Sequence, residues 1–102
     1  MRVELHPEAR AEIRAAALWY DERRPGLGDE LLAEVSSTLD RIEEAPASFP
    51  RWPAVPSALP IRRALVKRFP YAIAFEAHPE LVLVLAVAHV KRRPLYWLSR
   101  AF

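Results

Sequence analysis

The side chains able to do chemistry gather near the C-terminus, in Ala86-Val87-Ala88-His89-Val90-Lys91-Arg92-Arg93-Pro94-Leu95-Tyr96-Trp97-Leu98-Ser99-Arg100. An imidazole, several guanidinium groups, a phenol and an indole leave one apolar run together. Arginine forks grip phosphate or carboxylate oxygens, aromatic rings stack on bases, and an imidazole moves protons near neutral pH. Metal-free RNA cleavage needs a base for the 2′-hydroxyl, an acid for the leaving oxygen and a cation for the developing charge. His89, Arg92 and Tyr96 are the candidates for those catalytic roles. Lys91, Arg93, Trp97 and Arg100, with Arg62, Arg63, Lys67 and Arg68 upstream, are the candidates for holding a nucleic acid or another target. A plainer alternative stands beside each: Tyr96 and Trp97 close the core, and Arg100 pairs with a helix carboxylate.

Other chemistries lack their residues. The chain has no cysteine, which excludes disulfides, thiolate metal sites and a thiol nucleophile. There is no glycine-rich phosphate loop and no H-E-x-x-H pair. His6, His78 and His89 form no recognisable ligand set, so neither a metal nor a cofactor is expected.

The net charge of +2 conceals a strong asymmetry. Residues 1–60 carry seven Arg against eleven Asp or Glu, a net of −4. Residues 61–102 carry eight Lys or Arg against Glu76 and Glu80, a net of +6. Such a half sets up a local positive field whose natural partners are polyanions or acidic protein segments. No apolar run approaches the roughly 18 residues of a membrane span, and the N-terminus lacks the apolar stretch of a signal peptide, so a cytoplasmic location is expected.

The elements that must position these residues follow from spacing. Val3 to Leu5 reads as a short strand. Pro7 suits the first turn of a helix, Glu8 and Glu12 favour its positive end, and Ala9, Ile13, Ala16, Ala17 and Tyr20 recur at helical spacing to about Arg24. Pro25-Gly26-Leu27-Gly28 breaks the helix. A second runs from about Gly28 to Glu44 with a stripe of Leu31 or Leu32, Val35, Leu39 and Ile42, and the two should pack antiparallel. Five prolines between Pro46 and Pro60 make a stiff connector, pinned by Phe49 and Trp52. Three strands follow: Ile61–Arg68, Tyr71–Glu76 and Leu81–Ala88, the last apolar throughout and therefore central and buried on both faces. The tail after Arg93 makes a short helix or a strand extension. The expected fold is α+β, β-α-α-β-β-β: an N-terminal strand, then an antiparallel helical hairpin on one face of a small, mainly antiparallel sheet, as one domain over residues 1–102.

The sequence resembles the RelE/ParE-type toxins of bacterial type II toxin–antitoxin systems. The N-terminal half carries Leu5-His6-Pro7-Glu8-Ala9, Ala17-x-Trp19-Tyr20 and Ile42-x-x-x-Pro46-x-x-Phe49-Pro50. The C-terminal half carries Arg63, Phe69-Pro70-Tyr71-x-Ile73-x-Phe75 and His89-x-x-Arg92-x-Pro94-x-Tyr96-Trp97-x-x-Arg100. The resemblance spans nearly the whole chain, in order. It implies the same helical hairpin on a small sheet, and a cognate antitoxin whose C-terminal segment wraps the toxin in a hetero-oligomer. It also implies one of two activities, mRNA cleavage on the ribosome or inhibition of DNA gyrase without nuclease chemistry. The ribosome-dependent branch usually carries an arginine just after the middle-strand tyrosine, where this chain has Ala72, and a basic residue before the tail tyrosine, where it has Val90. Losing one preorganised charge donor typically costs about 10²–10³ in rate. The expectation therefore leans to a gyrase-directed toxin that acts by binding, through an apolar tail (Leu95, Trp97, Leu98, Phe102) as much as through arginines. The alternatives are the ribosome-dependent endonuclease, with His89 as base, and a non-toxic nucleic-acid-binding or interaction module.

Overall fold

Pro7 opens the first helix, and the residue before it supplies the cap. The computed structural model describes residues 1–101, so Phe102 lies outside the described residues. His6 Nδ1 accepts the Glu8 N–H at 3.1 Å, satisfying one of the four N–H groups a helix start leaves without partners. Strand β1 (Arg2–Leu5) leads into α1 (Pro7–Arg23), α2 (Leu27–Glu44), β2 (Ile61–Leu65), β3 (Tyr71–Ala77) and β4 (Leu81–His89). Short 3-10 turns occupy Pro46–Ser48 and Leu98–Arg100. The sheet order is β1-β4-β3-β2, with β1 parallel to β4 and the other pairs antiparallel. This is the expected α+β arrangement.

The hairpin between the helices depends on its two glycines for different reasons. Gly26 caps α2 at φ 91, a left-handed conformation that costs other residues more. Gly28 is a close approach: a Cβ there would meet the Ala17 carbonyl oxygen at 2.4 Å. Its N–H donates to Asp21 Oδ1 at 2.7 Å, tying α2 to α1. Of the two leucines offered for the α2 stripe, Leu31 is buried and Leu32 is exposed.

β4 is central and buried on both faces, but its alternation breaks once. Ala74 pairs with Ala86 and Phe75 with Val84, leaving Leu85 as a bulge without a partner. Val82, Val84 and Val87 face the helices, in a core with Ala9, Ala16, Leu31, Val35, Ile42, Ile73 and Phe75. Leu83, Leu85, Ala86 and Ala88 face the other way. Helices do not cover that second face. The tail and the proline-rich connector do, with Trp97 fully buried among Trp52, Val55, Leu59 and Leu98.

The connector crosses the β2 edge to reach that position. Phe49 packs edge-on against Phe75 on the helix side, at 5.8 Å between ring centroids. Trp52 meets Trp97 on the other side at 4.9 Å. Between them Trp52 N–H donates to the Ile61 carbonyl and Arg63 N–H to the Pro50 carbonyl, so residues 50–52 pair with the outer edge of β2.

β2 is shorter than its composition suggested. It ends at Leu65 because the chain must turn to bury Val66 and Phe69 on the helix side. Arg68 makes the turn at φ 70 and ion-pairs with Glu30 at 2.6 Å and Glu34 at 3.5 Å. The hydrogen bond from Arg68 holds the Glu30 carboxyl below its ordinary value of 4.5.

Two predictions follow from this frame. Gly28→Ala should lower unfolding stability by about 1–3 kcal/mol, read in denaturant melts, because the helices cannot separate without losing the Asp21 bond. Glu30 has a depressed folded pKa, so its contribution is present above the unfolded value and lost as pH falls through the folded one. Arg68→Ala should therefore melt below the wild type at neutral pH, with the gap closing as pH falls through the depressed folded value of Glu30.

Candidate target-binding site

The end of β4 and the tail after it carry most of the candidate residues, and both are held by one carboxylate. Glu12 reaches from α1 over the end of the sheet. Its Oε1 accepts the Val87 N–H at 3.0 Å. Its Oε2 accepts the Tyr96 hydroxyl at 2.6 Å and Arg100 Nη2 at 3.1 Å. Arg100 Nη1 donates in turn to the Leu85 carbonyl at 3.0 Å. The ion pair is largely buried, with side chains 16% and 15% exposed. Sequence reasoning read Glu12 only as a favourable charge near a helix N-terminus. The missed signal was its position, three residues after Ala9 and four before Ala16, on the face that packs down.

The tail is anchored twice. Tyr96 bonds Glu12, and Trp97 fills the second core. Leu95, just before them, takes φ 60, an uncommon conformation for a large side chain. Strain of about 1–3 kcal/mol at such a residue persists only where its surroundings over-determine it. Tyr96 is held protonated well above the usual tyrosine range, first by burial and then by its bond to the Glu12 carboxylate.

The expected site residues divide accordingly. Trp97 is 1% exposed, so it cannot offer a face to a target, and its place as a binding residue is corrected to the core. Arg62 donates to the Phe49 carbonyl and so holds the connector. Arg68 pairs with α2, and Arg100 with Glu12. Lys67 and Arg68 lie in the turn after β2 rather than on the strand. Among the described residues, Arg63, Lys67, Lys91, Arg92 and Arg93 form no ion pair. Arg92 lies over the Tyr96 ring with its guanidinium carbon 3.9 Å from the centroid.

Arg63, Arg92 and Arg93 rim a groove of about 380 Å³ on the face opposite the helices. Ala72 and Ala88 line it together with Trp52, Leu95 and His89. Leu65 and Val90, also in its lining, are 60% and 58% exposed. The groove is thus apolar within and cationic at its rim.

His89 packs edge-on against Tyr71 at 5.2 Å, and its Nδ1 accepts the Lys91 N–H at 3.1 Å. A neutral ring with Nδ1 accepting carries its proton on Nε2, so that nitrogen donates rather than accepts. Burial, then the neighbouring Tyr20, raises the Tyr71 phenol above its ordinary 10.0. No cluster of His, Cys, Asp or Glu suited to a metal ion occurs among the described residues. None of their helices is long and apolar enough to cross a membrane.

Fold and site together define a small α+β protein with a rigidly held basic tail beside an apolar groove. Residues 3–94 match the family model described as ParE toxin of type II toxin-antitoxin system, parDE, and the chain belongs to that family. A search of curated proteins finds no match to it. Among solved structures, the chromosomal ParDE TA system from P. aeruginosa contains a similar chain, at TM-score 0.74 and 13% identity, covering 87% of this chain and 95% of that one. At that identity the likeness concerns the fold.

The clamp gives a direct test. Glu12→Ala leaves Arg100 and the Val87 N–H without their partner and should cost about 3 kcal/mol in denaturant unfolding. Arg100→Ala should cost a comparable amount. The double variant should cost clearly less than the sum of the two, since both remove one network.

Proposed function

We propose that this ParE-family toxin arrests growth by binding DNA gyrase through the groove and its cationic rim, and that it does no nuclease chemistry. The observation that carries this reading is the commitment of the reactive groups to the fold. The Tyr96 hydroxyl donates its hydrogen bond to Glu12, Arg100 is paired, and His89 uses Nδ1 as an acceptor. Ala72 lines the groove where a ribosome-dependent nuclease would need a cation. A binding toxin needs surface instead, and Leu65, Val90, Arg63, Arg92 and Arg93 supply it.

Membership of a family of two-component toxins implies a cognate antitoxin. An acidic antitoxin segment laid over the groove would meet Arg63, Lys91, Arg92 and Arg93 and would cover Leu65 and Val90. Complementary charge of this kind speeds association and selects the partner. The complex is then a toxin–antitoxin hetero-oligomer in which the antitoxin blocks the gyrase-facing surface.

The ribosome-dependent endonuclease is the second reading, because His89, Arg92 and Tyr96 do converge at one end of the sheet and Arg63 shares the groove with them.

Expression without the antitoxin, with plasmid topology and mRNA 5′ ends sampled from the same culture, separates the readings. Relaxed or broken plasmid with intact messages is expected. His89→Ala, which removes a groove-lining ring, should reduce activity only modestly, while Arg92→Ala with Arg93→Ala should reduce it by about tenfold or more. Codon-phased mRNA cuts lost in His89→Ala would move the protein to the nucleases. Unaffected growth would make it a non-toxic interaction module.

A further inference from the structure

A second cleft, of about 420 Å³, lies on the helix side of the sheet between α1 and the end of β4. It exists because β1 stops at Leu5 while β4 continues to His89, and because α1 lines it with Ala15 and Ala16 rather than with larger side chains. Its volume falls within the range of about 300–1,000 Å³ typical of small-ligand sites.

The lining is unusually aromatic. Trp19 and Tyr20 come from α1, Tyr71 from β3, His89 from β4 and Tyr96 from the tail. These rings meet edge to face, Trp19 with Tyr20 at 5.0 Å, Tyr20 with Tyr71 at 6.4 Å and Tyr71 with His89 at 5.2 Å, so no two of these pairs are stacked in parallel. One guanidinium group lines the cleft with them: Arg92 lies on Tyr96. Arg23, outside the lining, lies on the Trp19 ring and donates from Nη1 to the Trp19 carbonyl at 2.9 Å. The carboxylate in the lining, Glu12, is already neutralised by Arg100 and hydrogen-bonded by Tyr96 and Val87. The cleft therefore offers planar apolar surface and positive charge, with its one acid engaged elsewhere.

We propose that this cleft binds a nucleoside phosphate, with the base among Tyr71, His89 and Trp19 and the phosphate on Arg92. An apolar ligand would leave Arg92 unused, and a bare anion would leave the rings unused. A nucleotide uses both, because every base has a π-face and every nucleotide a phosphate. The unit is either a free nucleotide or one nucleotide of a single strand. The cleft opens on the opposite face from the groove but shares His89, Arg92 and Tyr96 with it, and the proposal does not depend on the gyrase reading.

The test is a titration of the full-length chain followed by amide and indole NMR shifts. Adenosine 5′-monophosphate should shift Val87, His89 and the Trp19 indole. Adenosine and inorganic phosphate should each bind weaker by on the order of tenfold. Ala15→Leu places a helix-favouring side chain at an exposed position lining the cleft. It should weaken the nucleotide by about tenfold with the melting temperature kept. Arg92→Ala, also at an exposed position, should weaken the nucleotide and leave adenosine unchanged. A short oligothymidylate that saturates the same signals at lower concentration than the mononucleotide assigns the cleft to a strand; one that binds less well assigns it to free nucleotides. The proposal fails if the nucleotide leaves these signals unmoved, if Ala15→Leu binds it as well as the wild type, or if phosphate alone binds as well as the nucleotide.

Discussion

β4 outruns its neighbour, and much of the molecule is arranged around that fact. β1 pairs with β4 only as far as Leu5 with Val84, and the His6 N–H then donates to the Val84 carbonyl. Beyond it the bulge at Leu85 shifts the phase, and the Leu85 carbonyl and Val87 N–H meet no strand on that side. A buried backbone group left without a partner costs about 1–3 kcal/mol. Glu12 and Arg100 supply the missing acceptor and donor, one from the helix and one from the tail. Their opposite charges offset the cost of burying each other. Two side chains thus stand where another strand residue would, and in doing so they tie α1, β4 and the tail to one point.

That point decides which cations remain for a partner. The basic C-terminal half divides into arginines the fold consumes and cations it leaves at the surface. Arg62, Arg68 and Arg100 hold the connector, the α2 side and the β4 edge. Arg63 and the run from Lys91 to Arg93 lie near the apolar groove, with Arg92 spread on the ring that Glu12 orients. An arginine already lying on an aromatic face loses less freedom when it engages a target than one waving in solvent. The clamp therefore bears on binding even though Glu12 itself faces inward.

The parts of the fold that were legible in the sequence are those set by local chemistry. Pro7 and the Pro25–Gly28 break fixed the helix limits, and the unbroken run after Glu80 marked the central strand. Trp97 could be weighed as a core residue because an indole in a short tail has large apolar area to hide. What stayed hidden depends on contacts between distant segments. Nothing local distinguishes Glu12 as a helix-end charge from Glu12 as a partner for Val87, 75 positions away. The end of β2 was misjudged because Arg68, not a glycine, takes the positive φ, and its compensation lies on α2. The cover of the second sheet face was not foreseen, since it joins the connector to the tail.

Membership of a toxin family leaves the mode of action to be argued from the site. Catalysis and binding ask opposite things of the same residues. A general acid must release its proton during the reaction, and a base must hold a lone pair free. Here the Tyr96 proton is shared with a carboxylate, and burial raises its affinity for that proton further. The His89 Nδ1 lone pair is spent on the turn that aims Lys91 and Arg92. Those same bonds make the tail rigid, and rigidity lowers the ordering cost of association. A surface whose reactive groups are spent on holding its own shape suits a toxin that acts by occupying its target, the reading on which the gyrase proposal rests.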